Sequence, residues 1–256
     1  MESLTNRFHA IEKFDVNKAF EDGWKGYTRN IGMGALVLFL GMLLLFLSVA
    51  TVAGLLFAFP HIAVGLGLSG YYMAKGSLNT GMLFRGFTRY GRVLGAMLIF
   101  WLIAMVFLAV FSGPYYYHLV KAMSPEVVGE GAWINRFVTA SATAEVQNWA
   151  ALQYLAYPFQ FYLQGRLLPL FPLMIDEDLS FGEAFAASWS LTRKVHWHLL
   201  LFIFLANVLA VIAAVVGMIG LLVGMFFTIP FPMALLGAAT RQLLERESDG
   251  EHHADT

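Results

Sequence analysis

The chain has 256 residues, of which 59% are hydrophobic and only 13% are charged, and its formal net charge at pH 7 is −1. Soluble domains carry about 25% charged residues, so lipid must solvate part of this apolar surface. The near-neutral charge argues against nucleic acid as a partner, and the absence of cysteine excludes disulfides, thiolate metal sites and cysteine nucleophiles. The composition predicts an all-α, polytopic helical membrane protein.

The chain begins with a polar arm, residues 1–30, in which we expect an amphipathic helix and no cleavable signal peptide. Residues 31–74 follow without any Asp, Glu, Lys or Arg. As one helix they would extend about 66 Å, roughly twice the hydrocarbon thickness of a bilayer. We therefore predict a helical hairpin that turns between residues 51 and 61, because Pro60 is unfavourable in the middle of a helix.

The rest of the chain predicts four more crossings within a single membrane domain, residues 1–256. Residues 31–112 hold the first hairpin and a third span, residues 113–148 form an external loop, and residues 149–175 form a proline-broken fourth span. Residues 176–197 hold a second amphipathic helix on the cytoplasmic side, residues 198–240 a second hairpin, and residues 241–256 a disordered tail. The prediction is therefore about six transmembrane helices.

The positions of lysine and arginine predict the orientation of these spans. With six spans, 13 of the 16 basic residues lie on the side of the two termini, whereas the 113–148 loop has only Lys121 and Arg136. Basic residues accumulate on the cytoplasmic side of membrane proteins. We therefore expect a multi-pass protein of the bacterial cytoplasmic (inner) membrane, with its N- and C-termini inside.

Each hairpin is preceded by a similar segment. Residues 18–24, Lys-Ala-Phe-Glu-Asp-Gly-Trp, align without gaps with residues 183–189, Glu-Ala-Phe-Ala-Ala-Ser-Trp, and Thr-Arg follows both. Residues 83–87 form a weaker third copy. The pattern predicts an internal parallel repeat of amphipathic helices in the membrane interface, or alternatively cytoplasmic ends of spanning helices packed on their neighbours. The candidate interfacial residues are Phe20, Trp24, Phe185, Trp189 and Arg193.

The segment from Pro172 to Arg193 carries a family resemblance. It places Pro-Leu-Met-Ile-Asp at the end of a span, then Ala-Phe-x-x-Ser-Trp-x-Leu-Thr-Arg, then a long apolar hairpin. This layout resembles the bacterial YciC-like integral membrane proteins and the membrane domain fused to some glycerophosphoryl diester phosphodiesterases. In such fused proteins the hydrolytic activity belongs to a separate soluble barrel, so the resemblance implies a helical membrane module without phosphodiesterase activity.

Arg166 is the most informative residue for function. An arginine in a spanning helix costs about 2.5–3.5 kcal/mol on insertion scales, so its presence indicates a structural or functional role. Gln153, Gln160 and Gln164 recur in the same span. Together with Arg166 they form a candidate cavity or anionic-ligand site. The alternative is that Arg166 reaches the inner interface, or pairs with Asp176 or Glu183.

No motif in the sequence predicts catalysis or a metal centre. Gly65-x-Gly67-x-x-Gly70 spells a dinucleotide motif, but its apolar setting favours close helix packing. Residues 176–178, Asp-Glu-Asp, with His196 and His198 match no metal-site spacing. We expect a solvated acidic turn there, no metal or other cofactor, and no enzyme.

The sequence therefore favours a membrane-organising, lipid-interacting or partner-binding module in the bacterial envelope. Its expected partners are membrane lipids, with membrane proteins or further copies of the chain as additional candidates. The alternative is a small transporter or lipid or solute carrier, with a cavity near the fourth span.

Overall fold

A computed structural model describes residue 11 and residues 13–51, 53–124, 133–154, 156–220 and 223–251. Within these ranges the secondary structure is helical and no β-strand occurs. The all-α class predicted from composition is therefore confirmed. The chain divides into two compact units: unit 1 comprises Met1–Ala96 and Tyr162–Thr256, and unit 2 comprises Met97–Phe161.

The helices are numbered here in chain order. The first part of the chain forms α1 (Val16–Arg29), α2 (Ile31–Val49), a π-helical turn (Gly54–Ala58), α3 (Phe59–Lys75), a 3₁₀ helix (Thr80–Arg89) and α4 (Tyr90–Phe111). The middle forms α5 (Gly113–Ala122), α6 (Trp133–Ser141), α7 (Ala144–Tyr154) and α8 (Ala156–Leu167). The last part forms α9 (Leu170–Ile175), α10 (Phe181–Leu191), α11 (His196–Ile219), α12 (Val223–Thr228) and α13 (Pro230–Glu251).

Four stretches are long and apolar enough to cross a membrane, judged by length and composition among the described residues. They are Ile31–Val49, Gly54–Lys75, Thr80–Phe111 and His196–Ile219. Within the predicted fourth span, residues 149–175, the described part is interrupted between α8, which ends at Leu167, and α9, which begins at Leu170. A proline lacks the N–H that would continue the helical hydrogen bonds, and Pro169 lies just before α9. The count of six crossings therefore stays a prediction.

The first hairpin has the geometry that the sequence predicts. α2 ends at Val49, and the π-helical turn Gly54–Ala58 continues directly into α3, so Pro60 lies inside one apolar helical stretch, Gly54–Lys75. Glycines let the two helices approach: a Cβ on Gly41 would lie 2.9 Å from Leu66 Cδ1. α2 and α3 therefore pack side by side in opposite directions.

The core of unit 1 depends on close backbone approaches at glycines. A Cβ on Gly65 would lie 2.2 Å from the carbonyl oxygen of Leu83, and one on Gly70 would lie 2.1 Å from that of Met233. Around Gly67, by contrast, nothing lies within 4 Å. The predicted packing role of the Gly-x-Gly-x-x-Gly segment is therefore confirmed for Gly65 and Gly70.

Burial changes along the long apolar helices. α2 and α11 have most of their buried residues in their first halves, including Leu38 and Phe202, and α4 buries only Val93 and Ala96. Farther along, large apolar side chains are exposed, with Phe46 at 75% and Ile219 at 79%. Exposed apolar surface of this extent is rare on soluble monomers.

Unit 2 is folded where the sequence predicts an external loop, residues 113–148. Its described part contains α5, α6 and the start of α7, with a small core of Leu119, Ala140 and Val146. His118 Nδ1 lies 2.7 Å from a carboxylate oxygen of Glu145. The connection is therefore helical rather than an extended loop, because its apolar positions can pack on one another.

The predicted disordered tail, residues 241–256, is wrong for residues 241–251, which continue α13. Arg241 explains the difference, because its Nε pairs with Glu245 at 2.7 Å and its Nη1 donates to the carbonyl oxygen of Ala74 at 3.0 Å. The amide oxygen of buried Gln242 accepts from the backbone N–H of Asp15 at 3.3 Å. Residues 252–256 lie outside the described ranges.

Candidate functional site

α1, the first of the two predicted amphipathic helices, packs through its small residues. Asp15 caps it by accepting from the backbone N–H of Lys18 at 3.0 Å. Its buried residues are Ala19, Gly23 and Gly26. A Cβ on Gly23 would lie 2.9 Å from the Cα of Leu235, so α1 lies directly against α13.

The aromatic residues of α1 occupy different environments. The ring of Phe20 packs edge-on against buried Phe202, with centroids 5.4 Å apart. Trp24 is 55% exposed and touches Phe231 edge-on at 5.5 Å. α1 therefore exposes Trp24, while its face of small residues is packed against neighbouring helices.

α10 begins with a capping box formed by Ser180 and Glu183. The Ser180 backbone N–H donates to the Glu183 carboxylate at 2.8 Å, and the Ser180 hydroxyl accepts from the Glu183 N–H at 3.4 Å. The hydrogen bonds from Ser180 hold the pKa of Glu183 below its ordinary value. Phe185 and Arg193 are exposed, whereas Ala184 and Ser188 are fully buried.

Both α1 and α10 therefore have one packed face and one exposed face. This agrees with their predicted amphipathic character and also with packing on neighbouring helices, which was the alternative. Their depth relative to a lipid bilayer stays a prediction.

Arg166 lies on α8 and is buried, with only 6% of its surface exposed. Its Nε donates to the hydroxyl oxygen of Tyr162 at 3.1 Å. Its Nη1 donates to the carbonyl oxygen of Trp189 and to the hydroxyl oxygen of Thr192, both at 3.2 Å. The guanidinium is therefore held by neutral oxygens, two of them at the end of α10.

Two aromatic rings face the same guanidinium. The ring centre of Trp189 lies 4.6 Å from the Arg166 Cζ, and that of Tyr162 lies 5.2 Å away. The negative face of an aromatic ring attracts a cation, by about 0.5–2 kcal/mol. Trp189, predicted as an interfacial residue, thus serves as a wall of the Arg166 site.

The backbone of Arg166 is fixed as well. The Ser188 hydroxyl donates to the carbonyl oxygen of Arg166 at 2.5 Å, and the Thr192 hydroxyl donates to the carbonyl oxygen of Ser188 at 2.9 Å. Ser188 and Thr192 are both fully buried. α8 and α10 are therefore joined through a polar network inside an apolar core.

The predicted partners of Arg166 are engaged elsewhere. Asp176 pairs with Arg85, and Glu183 is held by Ser180. Among the described residues, no carboxylate forms an ion pair with Arg166. The alternative in which Arg166 pairs with Asp176 or Glu183 is therefore wrong.

The predicted glutamines are divided between the two units. The side-chain oxygen of Gln164 accepts from Nδ2 of Asn207 at 3.2 Å. Residues two positions apart on a helix do not face each other, which separates Gln164 from Arg166. Gln153 and exposed Gln160 belong to unit 2. The site in unit 1 consists of Arg166 and the end of α10.

The acidic turn between α9 and α10 is ion-paired, not simply solvated as predicted. One Asp176 oxygen accepts from the hydroxyl of Tyr72 at 2.7 Å and from Nη2 of Arg85 at 2.9 Å. The Asp178 carboxylate pairs with Arg89 at 3.0 Å and with Arg92.

In the described part of the chain, neither His196 nor His198 forms a hydrogen bond or ion pair with this turn. His196 Nδ1 lies 2.8 Å from the carbonyl oxygen of Arg193, and His198 is exposed. In the described part of the chain no group of three His, Cys, Asp or Glu residues is placed to hold a metal ion.

Sequence reasoning missed this ion-pair cluster, although a signal was present. Arg85, Arg89 and Arg92 are spaced four and three residues apart. Their three positive charges equal in number the three negative charges of residues 176–178, the only compact acidic run between two predicted spans. The role of Tyr72 had no such signal, because a tyrosine within an apolar run equally fits packing.

The comparisons with known proteins agree with the membrane character of the fold. No curated protein and no solved structure matches the chain. One family model matches residues 132–239, a range that includes Arg166, the acidic turn and α10 and is shorter than half of the chain. Residues 132–239 are therefore similar to the membrane domain of glycerophosphoryl diester phosphodiesterase, as the resemblance in the sequence predicted.

Proposed function

We propose that this chain is a non-enzymatic module of the bacterial inner membrane that binds and organises lipids. Membrane proteins and further copies of the chain are additional proposed partners. The observation that carries the proposal is the apolar surface left exposed on α2, α4 and α11, where Phe46, Leu102 and Ile219 are 75%, 64% and 79% exposed. Burying apolar surface is worth about 25 cal/mol per Å², so lipid contact at these helices is strongly favourable.

The similarity of residues 132–239 to a membrane domain supports the same conclusion. So does the chemistry at Arg166, whose contacts are ring faces and neutral oxygens. Acid–base catalysis needs a proton donor and acceptor placed at one reacting centre, and nucleophilic catalysis needs a base beside the nucleophile. The Arg166 site is suited to binding rather than to either.

The proposal includes six crossings with both termini inside. α7 to α9 and α12 with α13 would form the fourth and sixth crossings, each interrupted at a proline. The contact between Arg85 and Asp176 supports this arrangement, because it joins two segments that the charge pattern assigns to the inner side. The third and fourth crossings would then lie between these segments, and two crossings return the chain to the same side of the membrane.

The parallel repeat is also part of the proposal, and the caps of α1 and α10 support it. Asp15 and Ser180 occupy equivalent positions, and each accepts from the backbone N–H three residues later. At the other end, the Thr28 hydroxyl donates to the carbonyl oxygen four residues back, and Thr192 does the same. The two segments thus share a start, an end and a pattern of buried small residues.

Lipid analysis of the purified full chain tests the proposed function. The protein would be extracted directly into polymer-bounded membrane discs and its retained lipids measured by mass spectrometry, before and after exchange into detergent. We expect retained phospholipid and a lower unfolding temperature after detergent exchange, restored when phospholipid is added back. A protein that is equally stable without lipid and retains none would contradict the proposal.

A small carrier is the second candidate. The observation that favours it is a buried arginine in a helix followed by the proline-interrupted junction at Pro169, since transporters place binding sites at broken helices. Proteoliposomes that contain the chain would then show uptake of an organic anion above empty liposomes. Uptake equal to that of empty liposomes would leave only the lipid-binding proposal.

A further inference from the structure

We infer that Arg166 and the end of α10 form a binding site for a phosphate group, an inference that rests on the proposed lipid-binding function. The first support is the count of hydrogen-bond donors. A guanidinium has five N–H donors. Nε and Nη1 of Arg166 bind Tyr162, Trp189 and Thr192, whereas among the described residues no acceptor is bound to Nη2. Two donors on one planar nitrogen are thus available for an oxyanion.

The second support is the charge. Four other arginines of unit 1, namely Arg85, Arg89, Arg92 and Arg241, each have a carboxylate partner. Arg166 is more buried than any of them and has none among the described residues. Burying a cation without a counter-charge is unfavourable, so an anion that reaches the accessible 6% of Arg166 would bind to an uncompensated charge.

The third support is rigidity. The rings of Trp189 and Tyr162 face the guanidinium, and the Ser188 hydroxyl holds the backbone carbonyl of the same residue. A ligand would therefore meet a guanidinium whose position is already set, which lowers the entropy cost of binding. Arginine in such a fixed orientation is well suited to phosphate oxygens.

The charges around the site favour an anion. Arg193, which is exposed, follows α10 directly. The nearby acidic residues Asp176 and Asp178 are already paired with arginines. Arg193 therefore adds a positive charge just after α10, while Asp176 and Asp178 are neutralised by their own partners.

Thr192 offers a test that changes charge with little change in shape. Thr192→Asp places a carboxylate where the Thr192 hydroxyl now accepts from Nη1 of Arg166, so the protein itself supplies the missing anion. Thr192→Asn has the same size without the charge and is the matched control. Lipid discs with equal phosphatidylglycerol and phosphatidylcholine, analysed by native mass spectrometry, report lipid retention, and ³¹P NMR of detergent-purified protein reports binding of inorganic phosphate.

We expect Thr192→Asp to lower retained phosphatidylglycerol about tenfold, and Thr192→Asn to stay within about twofold of the parent chain, since one close charge pair accounts for a change of this size. Binding of phosphatidylglycerol alone assigns the site to a lipid headgroup, and binding of inorganic phosphate with the same ranking of variants assigns it to a free phosphate group. Equal anion retention by the Asp and Asn variants would overturn the inference.

Size-exclusion profiles and unfolding temperatures check that each variant folds. If Thr192→Asp does not fold, Arg166→Lys provides the second measurement, because it keeps the charge but removes the planar pair of donors, and we expect it to lose at least half of the retained phosphatidylglycerol. Unchanged retention in Arg166→Lys would then overturn the inference. The rise in unfolding temperature when phospholipid is added back separates this outcome from failure of the proposed function, since that rise persists in all variants if only the phosphate site is wrong.

Discussion

Gly237 on α13 and Gly70 on α3 meet so closely that a Cβ on Gly237 would lie 2.0 Å from the carbonyl oxygen of Gly70. No side chain separates the two helices at this crossing. The contact lies in the core of unit 1, where α1 and the 3₁₀ helix also pack on α3 through glycines. Helix packing in this core therefore depends on glycines, whose lack of a side chain allows the backbones to approach closely.

Gly237→Ala is expected to destabilise the protein, because the atoms that its methyl group meets belong to the backbone and cannot rotate away. Overpacking of this kind costs about 1–3 kcal/mol in the free energy of unfolding. Gly67→Ala is the matched control, since nothing lies within 4 Å of its Cβ position and alanine favours helix by about 1 kcal/mol over glycine. Unfolding in mixed SDS micelles measures both variants. Equal losses of stability would contradict the role of the close approach.

Asp178 combines an ion pair with an unusual backbone conformation, and two substitutions separate these effects. Its φ is +57°, a left-handed conformation that Asp and Asn tolerate better than Ala. Asp178→Asn and Asp178→Ala both remove the charge that binds Arg89 and Arg92. We expect the Ala variant to lose about 1 kcal/mol more than the Asn variant in the free energy of unfolding. A loss of equal size in both would show that the backbone conformation is relaxed at no cost.

Sequence reasoning succeeded where one physical effect dominates a segment. The length of the uncharged run after residue 30 predicted two helices rather than one, because span length is a local property. The Ser-x-x-Glu sequence at residues 180–183, which forms the capping box of α10, is likewise a local signal. The predicted disorder after residue 240 was wrong, because Arg241 contacts Ala74 and Glu245. Ala74 is distant in sequence, so this contact is not visible in the local pattern.

The Arg166 site shows the same division. A charge inside an apolar run marked Arg166 as important, and its position alone suggested a ligand site. Its partners were not predictable from the helix containing it, because Trp189 and Thr192 approach from α10. The role of the glutamines stays a prediction, since periodicity gives the face of a helix but not which neighbour covers that face.

The start of α10 is expected to be pH-dependent through Glu183. Its pKa is lowered in the folded state by hydrogen bonds from Ser180, so its contribution to stability is present above the ordinary value of 4.5 and is lost as the pH falls through the lower, folded-state value. Hydrogen exchange of the backbone amides in the first turn of α10 measures this. Glu183→Gln should exchange faster than the parent chain at neutral pH and at the same rate well below pH 4.5. A constant difference across this range would contradict the assignment to Glu183.

The orientation of the chain is directly testable because the sequence contains no cysteine, so a single introduced thiol is labelled without background. Ser77 follows α3 and Lys121 lies near the end of α5, and both are exposed. With six crossings and both termini inside, a membrane-impermeant maleimide should label Lys121→Cys in intact bacterial spheroplasts and label Ser77→Cys only after the membrane is permeabilised. The positive charges at Lys75, Arg85, Arg89 and Arg92 favour the inner position of Ser77, because moving them outward would place four cations on the unfavoured side. Labelling of Ser77→Cys in intact spheroplasts, with protection of Lys121→Cys, would reverse the proposed orientation and place the Arg166 site near the outer leaflet.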